Sequence, residues 1–129
     1  MPFTRITVRE GMSETTLQQI SDILHRALTQ EFSVPDKDRF QVIEVLAAQQ
    51  RIYDAHYLSG TRNDDFILFH IVAGKPRTRE QKQRFYAFLS EQLKVSLKIH
   101  PDNVMVIIQF NRAEEWSFSG GIMYCPEAL

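Results

Sequence analysis

The 129-residue sequence predicts a two-layer α/β (α+β) fold: a tandem β-α-β repeat whose four-stranded mixed sheet carries two helices on one face. Three observations predict it. Strand-like alternation gives way to a helix-period segment and then to a second alternating segment. The same order begins again about 65 positions later. Turn and cap residues stand at the joints between segments.

The first unit spans about residues 2–46. From Pro2 to Val8, Thr4, Ile6 and Val8 fall on one face and Phe3, Arg5 and Thr7 on the other, the period of a strand. Proline lacks a backbone donor, and a strand start is one of the few sheet positions that tolerates it. After a turn at Glu10-Gly11, Ser13 is placed to cap a helix with Glu14 in its first turn. Leu17, Ile20, Leu24, Ala27, Leu28 and Phe32 share one face of that helix, and Val34-Pro35 ends it. RFQVIEVL, from Arg39 to Leu46, reads as the second strand.

The second unit spans about residues 66–110. FILFHIVA, from Phe66 to Ala73, is an apolar strand that turns at Gly74-Lys75-Pro76. Thr78-Arg79-Glu80-Gln81 has the form of a capping box, and Phe85, Phe88, Leu89, Leu93 and Leu97 line one helical face. His100-Pro101-Asp102-Asn103 breaks the helix, and VMVIIQF, from Val104 to Phe110, forms the last long strand. Residues 111–129 extend beyond it, and the whole of 1–129 reads as one domain.

Sliding the chain by 65 positions superposes Ser13 on Thr78, Ile20 on Phe85, Leu24 on Leu89 and Leu28 on Leu93. Right-handed crossovers make the strands within each unit parallel, and a pseudo-twofold axis sets the two units antiparallel. The remaining sheet face is bare, while its strands look apolar on both sides, so self-association is expected to cover it.

Fifteen basic and sixteen acidic residues leave a formal charge of -1, which gives nucleic acid or anionic lipid no broad basic surface. No apolar run approaches the roughly 20 residues of a membrane span, and the amino end lacks a signal-peptide core. The single cysteine, Cys125, suits a reducing compartment, so the cytoplasm is the expected location. The four histidines have no paired ligand spacing, and neither HExxH nor CxxC occurs, so no metal site is expected. Ser119-Gly120-Gly121 reads as a turn or bulge.

If the first strands of the two units are central neighbours, Pro2 faces Ala73-Gly74-Lys75. The start of the second strand, with Asp38 and Arg39, lies at the same edge. Were Met1 trimmed, Pro2 would present a secondary amine there, a proton-transfer group no other residue type supplies. The GKPRT turn leads into a helix N-terminus, and Lys75 and Arg77 add positive charge, so a small carboxylate is the expected ligand.

With these segments in place, the chain resembles the tautomerase superfamily, and within it the branch containing malonate semialdehyde decarboxylase. VPDKDRFQ (Val34 to Gln41), GKPRTREQK (Gly74 to Lys82) and NRAEEWSFSGG (Asn111 to Gly121) carry the likeness, in order, across nearly the whole chain. The resemblance implies a cofactor-independent tautomerase or isomerase assembled as a homotrimer. It makes Pro2 the catalytic amine and Asp38 its assisting carboxylate. Arg77 and Lys75 become the substrate-holding cations, and Trp116 and Phe118 an aromatic wall. Lys75 departs from the arginine of the decarboxylases and lacks its planar fork.

Two chemistries stay open. Burial, Lys75 and Arg77 lower the amine's pKa, whereas Asp38 raises it. A neutral Pro2 suits keto-enol tautomerisation of a 2-oxo or enol acid; a protonated Pro2 suits hydration or decarboxylation of a 3-oxo acid. A non-catalytic oligomeric binding protein is the third reading.

Overall fold

In the computed structural model, which describes residues 1–126, the six long elements follow the expected order. They are β1 (Pro2–Arg9), α1 (Glu14–Phe32), β2 (Gln41–Leu46), β3 (Ile67–Ala73), α2 (Arg79–Leu97) and β4 (Val104–Phe110). Of the segment expected to extend beyond the second unit, residues 127–129 lie outside the described residues. The sheet order is β2-β1-β3-β4. β1 pairs in parallel with β2 and antiparallel with β3, and β3 pairs in parallel with β4. The central antiparallel register sets Pro2 opposite Ala73. That pairing brings the first residue of one unit's strand to the last residue of the other's.

Both helices obey the repeat. Ser13 caps α1 by accepting from the Thr16 amide, while Thr78 caps α2 by accepting from the Gln81 amide. The Gln81 side chain returns a bond from the Thr78 amide, completing the expected box. Both helices then end on a non-glycine residue in the left-handed region, Ser33 at φ 54° and Lys98 at φ 58°. The reversal there closes amide bonds back onto Leu28 and Leu93.

The core lies between the sheet and the helices. Ile6 and Val8 of β1 and Ile67, Phe69 and Ile71 of β3 meet Ile20, Leu24, Leu28 and Phe32 of α1 and Phe85, Leu89 and Leu93 of α2. Phe32 and Phe85 stack with ring centroids 4.6 Å apart. Leu17, Phe88 and Leu97, expected on the same faces, flank the core and are only partly buried.

The second sheet face departs from the expectation of strands apolar on both sides. Val42, Arg5, His70 and Ile107 form one row across it. Arg5 makes a two-pronged pair with Glu44 at 2.9 and 3.1 Å, and His70 meets Gln109. The face is therefore mixed, with ion-paired and hydrogen-bonded groups set among half-exposed aliphatic side chains. No helix among the described residues is long and apolar enough to cross a membrane.

Candidate active site

Three segments distant in sequence meet at one end of the sheet. Strand pairing sets the amino terminus against the Ala73 end of β3, and Met1 and Asp38 then close the third side. The Met1 α-amine stands 3.6 Å from the Asp38 carboxylate, whose side chain is 43% exposed. Burial holds that amine below its ordinary value. Asp38 pulls the other way through charge and hydrogen bonding, Arg77 adds to the depression, and the balance stays downward. Amine, Asp38 and Arg77 thus share one electrostatic neighbourhood, as the sequence leads one to expect. With Met1 in place the Pro2 nitrogen is an amide and has no basicity.

Arg77 is oriented by the chain itself. Its Nε and Nη2 donate to the Phe32 carbonyl at 3.2 and 2.9 Å, and its Nη1 donates to the Lys75 carbonyl. The guanidinium lies 5.2 Å from the Phe32 ring centroid, and burial lowers its pKa. It therefore completes the C-terminal end of α1, where carbonyls lack partners and a cation is favoured. Three of its five N–H groups are committed, so it faces the terminus as a fixed charge with part of its donor fork remaining. Lys75 is exposed on the adjoining turn. The α2 entry offers fewer amides to an anion than the turn sequence suggests: the Thr78 and Gln81 amides are bound within the capping box, and Pro76 has none.

The aromatic wall forms beyond β4. The Asn111 amide donates to the Ala73 carbonyl at 2.9 Å, and its side-chain oxygen accepts from Trp116 Nε1 at 2.6 Å. Trp116 and Phe118 stack at 5.3 Å and 17°. Tyr124 closes the group edge-on to Phe118 at 5.1 Å. Tyr124 is not among the residues expected at the site, although the glycine pair ahead of it marks a reversal of the chain. Gly120 and Gly121, at φ 68° and 71°, reverse the chain, and the Tyr124 amide reaches the Trp116 carbonyl at 2.8 Å.

Two cavities flank the terminus. One of about 730 Å³ is lined by the Gly74–Arg77 turn and the end of α1. The other, of about 540 Å³, is lined by Pro2, Lys37, Phe40, Trp116 and Phe118. Met1, Asp38 and Tyr124 line both, so Met1 stands at the partition between a cationic and an aromatic compartment. All six residues expected at the site, Pro2, Asp38, Lys75, Arg77, Trp116 and Phe118, line one compartment or the other. Among the described residues, no three His, Cys, Asp or Glu side chains gather as a metal site would require.

Such a β-α-β pair, with a proline-led first strand running into a pocket of one carboxylate, paired cations and aromatic rings, defines a class. The chain belongs to the tautomerase family: the family model for tautomerase enzymes matches residues 38–119. It is 35% identical over 121 residues to the probable tautomerase YusQ of Bacillus subtilis (strain 168), covering 94% of this chain and 95% of that one. A solved malonate semialdehyde decarboxylase, described with decarboxylase and hydratase activities, superposes with a TM-score of 0.85 at 27% identity, covering 93% of this chain and 92% of that one. A fused 4-OT symmetric trimer shares the fold, with a TM-score of 0.76 at 16% identity over 94% of each chain. The protein is therefore an enzyme of the tautomerase superfamily, in the branch resembling malonate semialdehyde decarboxylase.

Proposed function

We propose that the protein, once Met1 is removed, uses the Pro2 amine as a general base to interconvert the enol and keto forms of a small 2-oxo carboxylic acid. The observation that carries this reading is the convergence of the terminus, Asp38 and Arg77, where burial and Arg77 hold the amine of Met1, one residue ahead of Pro2, below its ordinary value despite Asp38. A lowered pKa enlarges the share of neutral amine, the form able to accept a proton.

In this reading Pro2 takes the enol hydroxyl proton and returns a proton to the adjacent carbon. Lys75, on its exposed turn, approaches the substrate carboxylate as a mobile charge, and the outward N–H groups of Arg77 assist it. Asp38 keeps the amine's pKa from falling too far to capture the proton, while Trp116 and Phe118 limit water on the substrate's far side. No cofactor is required. The likeness to malonate semialdehyde decarboxylase supports a second reading, in which Asp38 keeps Pro2 protonated and the enzyme hydrates or decarboxylates a 3-oxo acid. The half-exposed aliphatic groups of the open sheet face, beside the trimeric assembly of a protein that shares the fold, support a homotrimer.

The test compares trimmed protein, verified by intact mass, with a Pro2→Ala variant on phenylenolpyruvate and malonate semialdehyde. A loss of at least about 100-fold in tautomerisation is expected, the typical contribution of a positioned acid or base. Equal rates for the two proteins sink the role of Pro2, and turnover confined to malonate semialdehyde selects the second reading.

A further inference from the structure

The turn that presents Asp38 is tied to α1 along one helical stripe. Gln18, Ser21, Asp22 and His25 recur there at helical spacing. Arg39 Nη1 donates to Asp22 Oδ1 at 2.7 Å and to Ser21 Oγ at 3.2 Å. Gln18 supports the same Asp22 oxygen at 3.1 Å, and the Arg39 bond holds the Asp22 carboxyl below its usual range. One turn further along, the buried His25 donates from Nε2 to the Asp36 carbonyl at 2.7 Å. The Asp38 amide closes the turn onto the Pro35 carbonyl at 2.9 Å. Neighbouring side chains are thereby sent in opposite directions, Arg39 back to the helix and Asp38 towards the terminal amine.

We propose that Arg39 is a positioning residue: by anchoring the 35–39 turn on Asp22 and Ser21, it holds the Asp38 carboxylate against the amino-terminal amine and so sets the pH at which that amine exchanges its proton. The inference rests on the proline-amine reading for its catalytic meaning. Its geometry is seen at the Met1 amine, which stands 3.6 Å from Asp38. Around the amine, the cavities are lined by Lys37, Asp38 and Arg39 of the turn, by Lys75 and Arg77 of the β3–α2 connection, and by Tyr124 of the C-terminal segment, so Arg39 also places a cation in the same surroundings.

The sign of one measurement separates positioning from simple charge. Deleting a cation removes repulsion and raises an amine's pKa, whereas losing a held carboxylate lowers it. The experiment is an NMR titration of the terminal α-amine in the full chain, comparing the parent with Arg39→Met, Arg39→Lys, Asp38→Asn and the Arg39→Met/Asp38→Asn pair. Arg39→Met is expected to lower the midpoint by about half a pH unit, in line with loss of one partly screened carboxylate contact. Arg39→Lys restores most of that shift, and the double variant titrates no lower than Asp38→Asn alone. A midpoint that is unchanged or raised in Arg39→Met overturns the proposal, as does a fall that persists undiminished in the Asp38→Asn background. Should Arg39→Met fail to fold, Asp22→Asn replaces it under the same criterion, its fall having to vanish when Asp38 is already asparagine. Because the titration needs no substrate, failure of the clamp and failure of Pro2 catalysis register in different experiments.

Discussion

Gly74 leaves no room for a side chain. A Cβ there would collide with Met1 Cε and stand 2.8 Å from Trp116 Nε1. The methionine tip can swing away, but the indole is held by Asn111. Gly74→Ala is accordingly expected to cost about 1–3 kcal/mol by overpacking, measured by urea denaturation, with a change in Trp116 fluorescence; most of the cost should persist after Met1 is removed. At the amine itself, Asp38→Asn removes the raising carboxylate and lowers the titration midpoint, whereas Arg77→Met removes a cation and raises it. The two opposite shifts are readable in one pair of NMR titrations. Because Arg77 also donates to the Phe32 carbonyl, its loss should reduce stability, while Lys75→Ala should raise KM and leave the unfolding midpoint almost unchanged.

Each helix announces its start in local chemistry and its end less plainly. Ser13 and Thr78 carry a side-chain oxygen that an orphan amide needs, and the structure uses both. Thr78→Ala should cost about 1 kcal/mol on thermal or chemical unfolding. The helix ends lack the glycine that would mark them, since Ser33 and Lys98 adopt the left-handed region despite carrying Cβ atoms. Lys98→Gly, remote from the site, is expected to stabilise the protein by up to about 1 kcal/mol in the same assay. The α2 entry was legible as a helix start but not as a poor anion site, because the returning Gln81 bond depends on the side chain's actual direction.

At the scale of the whole molecule, the open sheet face carries the prediction about assembly. Ile107 is 41% exposed and Val42 43%, at opposite edges of a row that includes Arg5 and His70. In the proposed trimer a neighbouring copy would bury them. Ile107→Glu should then shift sedimentation towards monomer while leaving the far-ultraviolet circular dichroism of the chain intact, since the core lies on the other face. A parent protein that itself sediments as a monomer would refute the trimer.

The sheet order had to place the two first strands side by side at the centre before Pro2, Asp38 and the GKPRT turn could meet; what the sequence by itself determined is the repeat, the faces of both helices and the parallel pairing within each unit. These follow from periodicity, caps and crossover handedness, all written in short-range order. The tertiary structure alone decided how the committed groups are spent. Arg77 gives three N–H groups to backbone carbonyls, Arg39 turns away to α1, Tyr124 returns to the aromatic wall, and charged pairs interrupt the sheet's open face. The reason is physical: a residue's type fixes what it can donate or accept, but which partner it meets depends on packing between segments far apart in the chain.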